Sequence, residues 1–108
     1  MKILFVENHP IFAQQAIIHF LSAHQVTVVP SLSIARSSLA ATQFNLLLID
    51  YDLDDGKGEE LVRALREAGN KIRIIGVSVR EEGNAALLHA GVDAICSKME
   101  FIRIQELI

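Results

Sequence analysis

Apolar residues follow two alternating rhythms along this chain. Short continuous runs stand at Lys2–Val6 (KILFV), Asn45–Ile49 (NLLLI) and Lys71–Val79 (KIRIIGVSV), with lesser ones at Gln25–Val29 (QVTVV) and Ala94–Ser97 (AICS). Runs of this length, rich in β-formers and bounded by turn residues, predict strands buried on both faces of a parallel sheet. Between them the spacing turns helical. Phe12, Ala16 and Phe20 recur at i, i+4, i+8, while Leu32, Ala35 and Leu39, like Leu61, Leu65 and Ala68, recur at i, i+3 (or i+4), i+7. Ala85 and Leu88 mark a fourth helix, and a fifth is expected from near Phe101 to Ile108. Asn8 is the expected cap of the first helix, with Pro10 in its first turn, where a missing N–H costs nothing. Gly69 and Gly91 follow the third and fourth helices, where a left-handed residue belongs. Five strand–helix pairs in strict alternation predict a parallel sheet with right-handed crossovers and helices on both faces. The expected form is one α/β domain over residues 1–108, a five-stranded doubly wound sheet.

Composition narrows the class. The chain has 108 residues, 51% of them hydrophobic and 21% charged, which excludes disorder. No apolar run approaches the roughly 20 residues of a spanning helix. Lys2 precedes only four apolar residues before Glu7-Asn8-His9-Pro10, so no signal peptide is read. One cysteine, Cys96, cannot close an internal disulfide. These features together predict a cytoplasmic protein that does not engage a membrane. Ten basic against thirteen acidic residues give a net charge of −3, which argues against nucleic acid as the main partner.

A doubly wound sheet carries its active groups outside the carboxyl ends of its strands. Those ends are Glu7-Asn8, Asp50, Ser78 and Ser97-Lys98, so two carboxylates, a hydroxyl and an ammonium should share one sheet edge. The second strand ends at Val29-Pro30 and offers nothing, as an edge strand would. Asp50 follows four apolar residues and opens an acid-rich segment, Asp50, Asp52, Asp54, Asp55, Glu59 and Glu60. Carboxylates about 4 Å apart repel by roughly 4 kcal/mol at an effective dielectric near 20, and a divalent cation relieves this. Oxygen ligands with few carboxylates suit Mg²⁺. Asp54, Asp55, Glu59 and Glu60 are expected to be a solvated loop and an acidic helix start. A calcium loop counted from Asp50 fails, because its sixth and twelfth positions are Asp55 and Leu61 rather than Gly and Glu. A phosphorylated Asp50 would need a donor and a fixed cation, and Ser78 and Lys98 are the suitable residues at the next two strand ends.

Other chemistry-bearing residues read plainly. His9, His19, His24 and His89 lack ligand spacing and are expected at surfaces or helix ends. Cys96 is expected to be an inert buried thiol, and Phe12 and Phe20 to lie in the core.

Taken in order, these segments resemble the receiver (CheY-like) domain of bacterial two-component response regulators. KILFVENHPIFA resembles the family's first strand and acidic pair. LLLIDYDLDDGKG resembles its phosphoacceptor strand and loop, with Gly58 eight residues after Asp50. IIGVS resembles the fourth strand with its terminal Thr or Ser, and GVDAICSK the fifth with its invariant Lys. The resemblance implies a flavodoxin-like fold with strand order 2-1-3-4-5. It implies that Asp50 accepts a phosphoryl group from a sensor histidine kinase or phosphotransfer protein. It implies Mg²⁺ held by Glu7, Asn8, Asp50 and the backbone carbonyl of Asp52, phosphoryl oxygens held by Ser78 and Lys98, and a switching surface around the fourth helix and fifth strand. It implies a phosphoacceptor rather than a turnover enzyme. Four residues depart from the family pattern. Asn8 replaces the second acid, which weakens the expected Mg²⁺ site; Asp54 and Met99 replace prolines; Ile95 replaces the aromatic switch residue.

Two other readings compete. LLLIDYDLD also resembles the first motif of haloacid-dehalogenase-like phosphatases, with Asp52 as general acid, but the following Thr or Val and a late acidic pair are missing. A degenerate receiver would bind a partner without phosphorylation. The helix ending at Ile108 carries no stop signal, so an output domain beyond Ile108 or a separate effector is expected as the readout. A second copy of the chain is a further candidate partner.

Overall fold

The structure is a computed structural model that describes residues 1–108. Five parallel strands, β1 (Lys2–Val6), β2 (Gln25–Val29), β3 (Leu46–Ile49), β4 (Arg73–Ser78) and β5 (Ala94–Ser97), form one sheet in the order β2-β1-β3-β4-β5. The intervening helices are α1 (Pro10–Ala16), α2 (Leu32–Ala41), α3 (Gly58–Glu67) and α4 (Glu81–Ala90), and α5 (Ile104–Leu107) closes the chain. A small antiparallel ladder pairs Asp52–Leu53 with Gly56–Lys57. The predicted fold and strand order are therefore as observed, and no helix is long and apolar enough to cross a membrane.

Alternation along the strands divides the core. Leu4 and Val6, Leu47 and Ile49, and Ile74 face Leu32, Ala35, Leu61, Val62 and Leu87 of α2, α3 and α4. Ile3 and Phe5, Leu46 and Leu48, and Ile75 and Val77 face Ala13, Ala16, Leu21, Phe101 and Ile104 on the opposite side. Every residue from Ile3 to Val6 and from Leu46 to Ile49 is buried, as a sheet covered on both faces requires. The edge strand β2 differs: only Val29 is buried and Val28 is exposed, because no strand covers its outer side.

Several boundaries depart from expectation. The fourth strand begins at Arg73 rather than Lys71, since the Ile72 N–H donates to Asn70 Oδ1 and the Ile72 carbonyl accepts from Arg66. It ends at Ser78, leaving Val79 exposed. The third begins at Leu46, and Asn45 instead accepts the Lys2 N–H. His9, not Asn8, is the residue before α1, with φ −108° and ψ 95°. Pro10 restricts its predecessor to extended backbone, which places His9 at the boundary and moves Asn8 one residue outside it. Asn8 instead donates from Nδ2 to Asp54 Oδ1 at 3.2 Å. Beyond Ala16 the helix runs on in π form over Ile17–Leu21. The last helical segment begins earlier than Phe101, as a 3-10 turn over Lys98–Arg103 with a break at Glu100, so only Ile104–Leu107 is α-helical. Phe12 and Phe20 are half-buried rather than core; both pack on buried Phe101, which stacks on Phe5 at 6.2 Å. Gly69 and Gly91 have φ +79° and +121°, as their helix-end positions predicted.

Two arrangements lock the layers. The Arg66 guanidinium donates to the carbonyls of Asn70, Ile72 and Gly91 and to Asp93 Oδ2, which also accepts the Ile74 N–H. The loop after β3 folds back under α2. There the Asp55 carboxylate accepts the Leu32 and Ser33 N–H groups at 2.7 and 3.0 Å, beside Ser31 Oγ on Ile34. Asp55 is exposed, as expected, and also caps α2, and these two N–H donors hold its carboxyl below the usual carboxylate range.

A Cβ on Gly58 would overlap the backbone carbonyl oxygen of Asp50 and press on Ile49. Gly58→Ala should therefore cost about 1–3 kcal/mol in denaturant unfolding, as overpacking does. Asp55→Ala should lower the thermal midpoint at neutral pH. Because the folded pKa lies below the ordinary 3.8, the stabilisation is complete above that value and disappears as pH falls through the folded pKa. Midpoints of the two proteins should converge in that acid range.

Candidate functional site

Register brings the predicted residues to one edge. Val6 lies beside Ile49, Ile49 beside Gly76, and Ser78 beside Ser97. Beyond these pairs the ladder extends by single bonds, Glu7 N–H to Val29 and Asp50 N–H to Val6. Glu7 and Asp50 are buried although both are acids, and Lys98 compensates them. Its Nζ lies 2.8 Å from both Glu7 oxygens, with hydrogen-bond geometry to Oε2 only, and 3.0 Å from Asp50 Oδ2. The Lys98 side chain is 7% exposed, and Nζ stands 4.8 Å from the centroid of the Phe12 ring. The Tyr51 N–H takes the other Asp50 oxygen at 2.7 Å. Phe12 therefore shields the ammonium as well as packing on Phe101.

The remaining predicted residues surround this pair. Asn8 lies between Glu7 and the Asp54 loop; its Oδ1 is buried and accepts no hydrogen bond, and neither does Glu7 Oε1. Asp52 turns its side chain away from Asp50, to Lys57 and to Arg80 Nη2 at 2.7 Å. The Lys57 ammonium, then Arg80, holds the Asp52 carboxyl below its ordinary range, and Asp52 in turn raises Lys57. Ser78 is buried at the end of β4, but its Oγ accepts the Arg80 N–H at 3.3 Å and makes no hydrogen bond to Asp50. Gly83 leaves room for it, since a Cβ there would approach Oγ to 2.5 Å. Ile95 is 40% exposed on β5, in a groove with Leu88 of α4, and Met99 is exposed. Cys96 is buried, and desolvation raises its thiol pKa, as expected of an inert thiol. Glu59 and Glu60 open α3 as expected; Glu60 Oε2 also accepts the Lys57 N–H.

One site residue escaped the sequence reading. His9 is exposed at the start of α1, as expected, yet its Nδ1 also lies 2.9 Å from Glu7 Oε2 and 3.9 Å from Asp50 Oδ2. Only its place two residues after Glu7, ahead of a helix-starting proline, could have signalled this.

The response regulator receiver domain model matches residues 3–108. The chain belongs to the response regulator receiver domain family. The structure of this receiver domain is similar to that of the Francisella response regulator 1452 receiver domain, with a TM-score of 0.86 and 19% identity over 98% of this chain and 91% of that one. The receiver domain of TorR, a response regulator of the TMAO respiratory system, gives 0.83 at 28% identity over 98% and 90%. The Mn²⁺-bound form of response regulator Rcp1 gives 0.82 at 17% identity over 98% and 90%. No curated protein matches the sequence. Receivers of this family serve two-component signalling and are in general phosphoacceptors rather than classical turnover enzymes.

Replacing Lys98 by Met should leave two buried carboxylates uncompensated. Unfolding free energy should fall by about 3–5 kcal/mol, the cost of breaking a buried pair. Adding Glu7→Gln should recover part of that loss, and the double-mutant cycle measures the coupling.

Proposed function

We propose that this receiver is a working phosphoacceptor and that Asp50 carries the phosphoryl group. The observation that supports it is a buried carboxylate at the mouth of β3, held at one oxygen by the Tyr51 N–H and at the other by Lys98. In the proposed transfer a carboxylate oxygen of Asp50 attacks the phosphorus of a phosphohistidine on a sensor kinase or phosphotransfer protein. The O–P bond forms, the P–N bond breaks, and its electron pair leaves with the imidazole nitrogen, which takes up a proton. Lys98 meets the added negative charge, and the Ser78 hydroxyl turns from Arg80 to donate to a phosphoryl oxygen. The kinase and this domain would meet in the cytoplasm.

The residues present fit Mg²⁺, because Glu7 and Asp50 are buried carboxylates sharing one ammonium, and the Oδ1 of Asn8, next to Glu7 in the chain, is a buried oxygen without a hydrogen bond. Glu7, Asn8, Asp50 and the Asp52 carbonyl would hold the ion. When bound it supplies positive charge against the carboxylates and the phosphoryl oxygens. Asn8 contributes no charge, so binding is weak. A Ser78 hydroxyl drawn toward the phosphoryl group pulls on the segment before α4, and the α4–β5 face with Leu88 and Ile95 is the surface read by an output domain or a separate effector. Ile95 has a stiff β-branched side chain in place of a ring, so the change stays local.

Incubation with a small acyl phosphate and Mg²⁺ should add one phosphoryl mass, mapped to Asp50 and absent in Asp50→Asn. An adduct that persists in Asp50→Asn would sink the assignment. No adduct on the unaltered protein would leave an interaction module that works without phosphorylation.

A further inference from the structure

Outside the chemistry assigned above, His9 is the one titratable group aimed at the carboxylates from the solvent side. Its Nδ1, one Glu7 oxygen and one Asp50 oxygen all lie within 4.8 Å of one another. Donor atoms about 2.1 Å from a shared ion stand roughly 3.0 Å apart when adjacent in an octahedron and roughly 4.2 Å apart when opposite. The 3.9 Å from Nδ1 to Asp50 falls inside that range, and the 2.9 Å from Nδ1 to Glu7 Oε2 is a hydrogen bond that a shared ion would replace. An independent feature points to a ligand as well. The buried Asn8 Oδ1 accepts no hydrogen bond, and Glu7 Oε1, on a residue 2% exposed, has only the Lys98 ammonium at 2.8 Å, without hydrogen-bond geometry.

Resting on the receiver reading of this site, we propose that His9 Nδ1 is a metal ligand and that the site selects a first-row transition dication over Mg²⁺. The physical ground is a change in donor type. Asn8 stands beside Glu7 without adding a charge, so two carboxylates face one ammonium. Binding that depends on charge and hard oxygen donors is weakened accordingly. An imidazole nitrogen restores affinity without charge, and only for ions that accept nitrogen: Mn²⁺, Co²⁺ and Ni²⁺ gain in that order, and Mg²⁺ gains little. His9 reaches the carboxylates from an exposed position, its side chain 62% exposed against 0% for Glu7, so it can turn onto an incoming ion without disturbing the core. The Asn70–Arg73 and Lys2–Phe44 grooves at the opposite sheet edge hold no comparable donor set.

Metal-free protein is titrated calorimetrically with Mg²⁺, Mn²⁺, Co²⁺ and Ni²⁺, with no phosphodonor present. The expected affinities rise from Mg²⁺ to Ni²⁺, with Mn²⁺ at least about ten-fold tighter than Mg²⁺. In His9→Ala the Mn²⁺ advantage should collapse by about that factor while Mg²⁺ affinity moves less than two-fold; His19, His24 and His89 remain as internal controls. Electron spin echo spectra of bound Mn²⁺ should show one imidazole nitrogen, lost in His9→Ala. Asp50→Asn should weaken every ion, and excess Mg²⁺ should displace Mn²⁺. Thermal midpoints of the metal-free variants check that each is folded. Equal Mn²⁺ binding in His9→Ala, a missing nitrogen coupling, or Mn²⁺ binding indifferent to Asp50→Asn overturns the proposal. Failure here leaves the acyl-phosphate experiment unaffected. Failure of that experiment leaves this titration readable, so the two readings fall separately.

Discussion

The Lys98 ammonium between Glu7 and Asp50 is the contact on which the arrangement at the sheet edge depends. It joins residues 91 and 48 positions apart. Each carboxylate sits where burial would otherwise cost several kcal/mol per ion. Neither acid could be held at the end of its strand without a cation nearby. The cation in turn is covered by Phe12, which is seated on Phe101, so aromatic packing under α1 and the electrostatics of the site belong to one structure.

That contact also explains why the loop after β3 is tightly built. Asp50 must stay at the strand mouth while the chain turns back into α3. Gly58 permits it, since its N–H meets the Tyr51 carbonyl at 2.6 Å with no space for a side chain. Asp55 fastens the same loop to the start of α2, and Glu60 closes its other end on the Lys57 N–H. The cluster of acids is therefore divided by function. Asp50 faces the buried ammonium, Asp52 faces exposed Lys57 and Arg80, and Asp55 accepts hydrogen bonds from backbone donors. Repulsion among them is limited because each faces its own hydrogen-bond donors.

Charge at the site is as informative as its geometry. Two carboxylates balanced by one ammonium leave a modest negative site, with Asn8 supplying an oxygen but no charge. His9 Nδ1 adds a donor of different hardness at the open side. The Asp52–Arg80 pair links the loop after β3 to the segment before α4, so a charge change at Asp50 and the position of Ser78 are mechanically near one another.

By itself the sequence determined the sheet and its chemistry-bearing edge. Continuous apolar runs have one stable placement, under helices on both faces, and a strand ending in Asp or Lys puts that residue at a carboxyl end. Glu7, Asp50, Ser78 and Lys98 were legible for that reason. What depended on three-dimensional approach was not. The pairing of Lys98 with both acids requires β5 and β1 on opposite sides of β3, and Asp55 meets α2 only after the loop folds back. Arg66 binds carbonyls from two loops, and Ser78 turns to Arg80 rather than to Asp50. His9 reaches Glu7 because Pro10 holds its backbone extended, a constraint written in the sequence but given meaning only by the neighbouring carboxylates. Local patterns decide which face a residue presents; distances between strand ends decide which residues meet, and tertiary packing alone sets those distances.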